Sequence, residues 1–135
     1  ARDEHEARCT NNKVHVNDAY YAEYVNGDTK HPDVHALDRN QEFREFKALL
    51  GYLKSKGARP YFVLQPLNPW VYVNIKEIDP TMSAVRAELD AHGFSYLDMW
   101  VSDTAAFVPG TLTDIMHLGP LGWYRIDSAL ATFFP

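Results

Sequence analysis

Asp114 and His117 are the pair whose types and spacing best suit chemistry in this 135-residue chain. An imidazole is the side chain suited to proton transfer near neutral pH. A carboxylate three residues before it can orient the ring and stabilise its charged form. A base with its orienter implies a nucleophile. The spacing alone is weak, because 11 Asp and 6 His give roughly half a match by chance. Asp28 and His31 repeat it in a polar turn. Position separates the two pairs. Asp114 and His117 follow a predicted strand and loop and stand at a helix start. Gly119 there permits close backbone approach, and Pro120 suits a first helical turn.

Two further residues fall at a strand end. Asn68 has the chemistry to donate a hydrogen bond to a developing oxyanion, and equally that of a turn former between two prolines. Trp70 beside it suits a site wall, whereas the other aromatics, Tyr20, Tyr21, Tyr24, Tyr72 and Trp100, read first as core, with stacking on a sugar as the alternative. Asp28, His31, Asp33 and His35 form a local His/Asp cluster, but the spacing matches no established metal site and Pro32 breaks any shared helix face. No metal and no cofactor is expected. His5, His15 and His92 read as surface residues, and Cys9, the one cysteine, as an inert thiol.

The elements that must position the pair follow from periodicity. Residues 1–9 read as a helix end and 10–12 as a turn. Residues 13–37 are semi-regular, with a short helix near 18–25 and a turn at 26–28. Asp38 with Gln41 fits a capping box, opening a helix over about 39–56 that Gly57 ends. Residues 58–65 and 94–99 read as strands buried on both faces. Between them, Asp79 as N-cap and Pro80 open a helix that ends at Gly93. A last helix runs from about Gly119 to Phe133, with Trp123, Ile126, Leu130 and Phe133 or Phe134 on its apolar face. Helical connections make the strands parallel, and sites form at the carboxyl ends of such strands. Two strands alone do not make a stable sheet, so further strands must complete it.

The chain reads as a single domain over 1–135, with a semi-regular segment at 1–37 and an α/β core at 38–135. A net charge of −5 argues against nucleic acid or an anionic membrane surface as the main partner. One cysteine excludes an internal disulfide and any Cys-x-x-Cys site. No signal peptide or lipidation motif is visible, and the longest apolar-leaning run, 60–73, is broken by Gln65, Asn68 and prolines. The chain begins with Ala1 rather than Met, so it is expected to be a piece of a longer protein.

The run Asp114-Ile-Met-His117-Leu-Gly-x-x-Gly122-Trp123 resembles the C-terminal signature of the D-alanyl transfer protein DltD family. The 10–12 turn with Tyr20-Tyr21, the strand ending Gln65-Pro66-Leu67-Asn68 before Trp70, and Gly93-Phe94 with Asp98 resemble that family in the same order. The sequence departs from the pattern at Pro120, where a bulky residue is expected, and is about one residue short between Asn68 and Trp70. The resemblance implies an SGNH-hydrolase-like, flavodoxin-like three-layer α/β/α fold with a mostly parallel sheet, here an incomplete C-terminal portion. It also implies a Ser-His-Asp triad in which Asp114 and His117 stand and the serine lies upstream, behind an N-terminal membrane anchor absent from this chain. Asn68 and Trp70 would then line the substrate site. The implied function is D-alanyl ester transfer or hydrolysis in the D-alanylation of teichoic acids, at the extracytoplasmic face of the cell membrane. The implied partners are teichoic acid or another cell-wall polymer, and a D-alanyl carrier protein or membrane acyltransferase. A fragment without the serine is expected to be inactive. The alternatives are a non-catalytic binding module for a carrier protein or polymer on the same fold, and a carbohydrate-ester hydrolase relative.

Overall fold

The computed structural model describes residues 16–25 and 29–135. The readings at 1–9, 10–12 and 26–28, with His5, Cys9, His15 and Asp28, lie outside the described residues. The first described segment holds one helical turn, Asp18–Tyr20, capped by the Asn17 side chain, and a π-helical turn, Tyr21–Val25.

Helix α1 spans Gln41–Ser55. Its cap is Asn40 rather than the expected Asp38, because residues 36–40 first make a turn, with Arg39 N–H donating to Ala36 O at 2.9 Å. The chain enters the helix only after that turn, and Asn40 Oδ1 accepts from Phe43 N–H at 2.7 Å. Gln41 therefore makes no capping box and donates instead to Glu45 at 2.7 Å. Gly57, at φ 64°, takes the left-handed conformation that ends the helix.

Strand β1 (Tyr61–Leu64) and strand β2 (Ser95–Asp98) form a parallel two-stranded sheet, in register from Tyr61 opposite Ser95 to Leu64 opposite Asp98. Helix α2 (Asp79–His92) is the crossover that a parallel pair requires. Asp79 is its first residue, not its N-cap, because a 3₁₀ turn, Ile75–Ile78, leads directly into it. The Asp79 carboxylate is used elsewhere: it accepts from Trp100 Nε1 at 2.8 Å and Ser102 Oγ at 2.7 Å. Helix α3 spans Pro120–Phe133.

Alternate strand residues point to opposite faces. Phe62 and Leu64 pack with Leu50 and Leu89, which are fully buried, and with Phe46, Met82 and Val85 of α1 and α2. The Phe62 ring meets Phe46 edge-on at 6.2 Å. On the other face the Tyr61 ring meets Phe133 of α3 at 4.9 Å. The result is a mixed α/β structure with helices on both faces of a small parallel sheet. The strands are less covered than expected: in β1 only Leu64 is buried, and Ser95 and Asp98 of β2 are exposed. Among the described residues each strand has one neighbour, and the flanking elements that would cover them are not among those residues. Trp123, expected on the buried face of α3, is 56% exposed, while Ile126 is buried.

The carboxyl ends of β1 and β2 feed two irregular segments, residues 65–74 and 99–119. The second folds back on itself before α3. Leu112 and Leu118 form an antiparallel bridge, and Thr113 N–H donates to His117 O at 2.8 Å. Gly119 N–H donates to Thr111 O at 2.9 Å, and Leu121 N–H to Gly110 O at 3.0 Å. The backbones are pressed together here. A Cβ on Gly119 would lie 2.5 Å from Gly110 O, and one on Gly122 would lie 2.4 Å from Thr111 O. The three-residue spacing of these glycines thus has a packing cause.

Gly119→Ala and Gly122→Ala should each destabilise the protein by about 1–3 kcal/mol, since backbone must move to admit the methyl. Gly51→Ala on α1, where a Cβ meets nothing within 4 Å, should stabilise by about 0.5–1 kcal/mol. Urea unfolding of the three variants checks the opposed signs.

Candidate active site

Aspartate side chains readily accept hydrogen bonds from backbone two and three residues on. Asp114 does this and more. Its Oδ1 accepts from Met116 N–H at 2.9 Å and His117 N–H at 2.7 Å. Its Oδ2 accepts from His117 Nδ1 at 2.7 Å. One carboxylate therefore closes the turn and holds the ring. An ionised carboxylate only accepts, so Nδ1 carries the proton and Nε2 is left as the basic nitrogen. The Asp114 side chain is 12% exposed and that of His117 is 72% exposed. The orienter is sheltered and the base is reachable.

The electrostatics favour the charged carboxylate. Burial pushes the Asp114 carboxyl up, but the two backbone N–H bonds and the imidazole outweigh it, leaving the pKa below its ordinary value of 3.8. Two phenols sense that charge. Burial first, then the Asp114 charge, raises the Tyr72 pKa above the ordinary 10.0. Tyr20 is raised by the same two causes, with smaller contributions from Tyr72 and Tyr24. Tyr20 reaches this place because Asn17 N–H donates to Thr113 O at 3.3 Å, tying the first described segment to the turn.

The loop after β1 braces the turn from the other side. Asn68 is fully buried, and its backbone N–H donates to Ile115 O at 2.9 Å. Its Oδ1 accepts from Trp70 N–H at 3.0 Å, and its carbonyl accepts from Val71 and Tyr72 N–H, both at 3.1 Å. Gln65 Nε2 donates to Met116 O. The carbonyls of Ile115 and Met116, between the acid and the base, are thus both held by residues at the end of β1. The same loop is tied to Lys30, whose N–H donates to Val71 O at 2.9 Å. Trp70 is 42% exposed and Met116 is 38% exposed, so apolar surface stands on both loops.

The structure therefore brings Asp114, His117 and Asn68 together, with Trp70 on the loop that carries Asn68. It adds Gln65, Tyr20 and Tyr72, which spacing did not single out. Gln65 and Tyr20 lie in segments that carry the family resemblance, and Tyr72 is one of the aromatics that read first as core. Asp33 and His35 bond to each other at 3.1 Å on the surface. Among the described residues no group of three His, Cys, Asp or Glu converges.

The family described as "DltD protein" matches residues 1–135. Protein DltD of Bacillus subtilis (strain 168) is 30% identical over 97 residues, which cover 69% of this chain and 24% of that protein. The aligned part is thus about a quarter of that relative's length.

Asp114→Asn keeps an oxygen for the two backbone donors but loses the charge that selects the tautomer. Imidazole ¹⁵N spectra should show the proton moving from Nδ1 to Nε2, with the fold retained. Asp114→Ala leaves two N–H groups unpaired and should cost about 1–3 kcal/mol in urea unfolding. Because the folded pKa is depressed, the stability that Asp114 contributes is present above its unfolded value. It should be lost as pH falls below 3.8 through the folded value. Acid titration of unfolding free energy should show this loss in the wild type and a smaller one in Asp114→Asn.

Proposed function

The chain belongs to the DltD family, and from that premise we propose that it carries the base and orienter of a D-alanyl ester transfer centre acting in the D-alanylation of teichoic acids. The observation that supports this most is the Asp114–His117 pair, with Nδ1 held at 2.7 Å by a sheltered carboxylate and the ring exposed.

His117 Nε2 takes the proton as a serine Oγ forms a bond to the acyl carbon. The bond from that carbon to the donor's leaving atom breaks, and Nε2 returns the proton to that atom. In the second half an acceptor hydroxyl on the polymer gives its proton to Nε2 and attacks the same carbon. Serine Oγ then leaves and takes the proton back. Asp114 stabilises the imidazolium formed in each half, and it retains no proton itself. The serine is supplied from outside these 135 residues, upstream in the whole protein. Among the described residues no hydroxyl or thiol is bonded to the His117 ring. Asn68 and Trp70 line the acyl site.

The sheet of the whole protein is a mostly parallel one in an SGNH-type three-layer α/β/α arrangement. The single neighbour that each strand has among the described residues and the helices on both faces support this reading. The working place is the extracytoplasmic face of the cell membrane. The partners are a cell-wall polymer as acceptor and a D-alanyl carrier protein or membrane acyltransferase as donor.

The test uses the full-length protein in cells that make teichoic acid. His117→Ala should bring ester-linked D-alanine to the level of a strain lacking the protein, and Asp114→Asn should slow transfer by about 10²–10⁴-fold. Full D-alanine content with either variant stably present would sink the reading.

A further inference from the structure

A concave region lies at the end of the sheet away from His117, where β1 and β2 begin. It is a cavity of about 390 Å³. Lys54, Arg59, His92, Ser95, Phe94 and Phe133 contribute to its lining, and no carboxylate does. In a chain of net charge −5, this is a local reversal of sign. Among the described residues neither Lys54 nor Arg59 has an ion-pair partner; behind the lining, a Glu88 carboxylate oxygen lies 3.9 Å from His92 Nδ1.

The walls hold two of the nitrogen-bearing groups in place. The Arg59 guanidinium lies 5.5 Å from the Phe133 ring centroid. The His92 ring stacks on Phe94 with centroids 6.1 Å apart and planes 10° from parallel. Its Nδ1 lies 2.8 Å from Glu88 O. A carbonyl only accepts, so Nδ1 carries the proton and Nε2 is the ring nitrogen open to a ligand. The ends of α1 and α2 border the cavity, and negative helix ends oppose an anion. Here, however, backbone donors already occupy them. Lys56, Gly57 and Ala58 N–H groups serve the last carbonyls of α1. Gly93 and Phe94 N–H groups serve Asp90 and Leu89 of α2.

We propose that this cavity binds a phosphate ester, with Lys54 and Arg59 holding the oxyanion, Ser95 completing the donor set, and His92 Nε2 accepting from a hydroxyl of the organic part. Two permanent cations match the charge of about −1.5 to −2 that a phosphate monoester carries at neutral pH, better than they match a single carboxylate. The volume exceeds that of a bare phosphate and leaves room for the organic part between the aromatic walls. The site is separate from the His117 centre and stands independently of the reaction proposed for it.

The test is a ¹H–¹⁵N titration of the full-length protein with glycerol phosphate, inorganic phosphate and acetate in parallel. Saturable shifts are expected at residues 57–59 and 93–95 with both phosphates and not with acetate. Lys54→Ala and Arg59→Ala should each weaken binding by about tenfold, the scale of one charge-assisted hydrogen bond. Both residues are exposed, so folding should be unaffected. His117→Ala should bind as the wild type does. Absence of saturable shifts, equal binding of acetate, binding unchanged in Lys54→Ala and Arg59→Ala, or loss of binding in His117→Ala would each overturn the proposal.

Discussion

The Asp114 carboxylate is the constraint on which the site depends. It accepts from two backbone N–H groups and one imidazole nitrogen, all between 2.7 and 2.9 Å. A sheltered carboxylate with three donors is far better satisfied than one paired with a side chain alone, and this is why it stays ionised despite burial. The same atom group therefore does a structural job and a chemical one. It satisfies the two N–H groups of the turn that no backbone carbonyl takes, and it fixes the tautomer of the ring. The cost of this economy is that the two roles cannot be separated by deletion, only by a substitution that keeps an acceptor oxygen.

The turn is in turn held by backbone that approaches too closely for side chains. Residues 110–122 fold back so that Thr111 and Gly110 carbonyls take the N–H groups of Gly119 and Leu121. Gly119 and Gly122 make that approach sterically possible. From the sheet side, Asn68 and Gln65 hold the carbonyls of Ile115 and Met116. The catalytic-type pair is thus anchored at once to the end of β1 and the start of α3. That is the arrangement expected of a site at the carboxyl ends of parallel strands, where rigid elements position loop residues.

Much of this was legible before any coordinates. Apolar runs bounded by glycine marked both strands, and the helices of α1, α2 and α3 followed from three- and four-residue periodicity. Parallel pairing followed from the helical length of the crossover. What misled were the helix starts. Asp38 and Asp79 both have cap chemistry, yet one lies inside a turn and the other is drawn into bonds with Trp100 and Ser102. Cap propensity is a statement about local competition, and distant donors can win it. The strands are less buried than their apolar runs imply, for a related reason. A continuous apolar run records the cover a strand is built to receive, whereas the described residues supply each strand with a single neighbour.

The sequence by itself determined the Asp114–His117 pair, its place at a helix start and the glycine spacing behind it, because these are short-range features within about ten residues. It also carried the family, through one contiguous run. Tertiary structure alone decided which residues surround that pair. Gln65, Tyr20 and Tyr72 come to the turn from segments far away in the chain, and no periodicity encodes such a meeting. It also decided that Lys54, Arg59 and His92 share one cavity, since they come from the ends of three different elements. Spacing reveals what one turn of backbone brings together; packing of the sheet against its helices decides the rest.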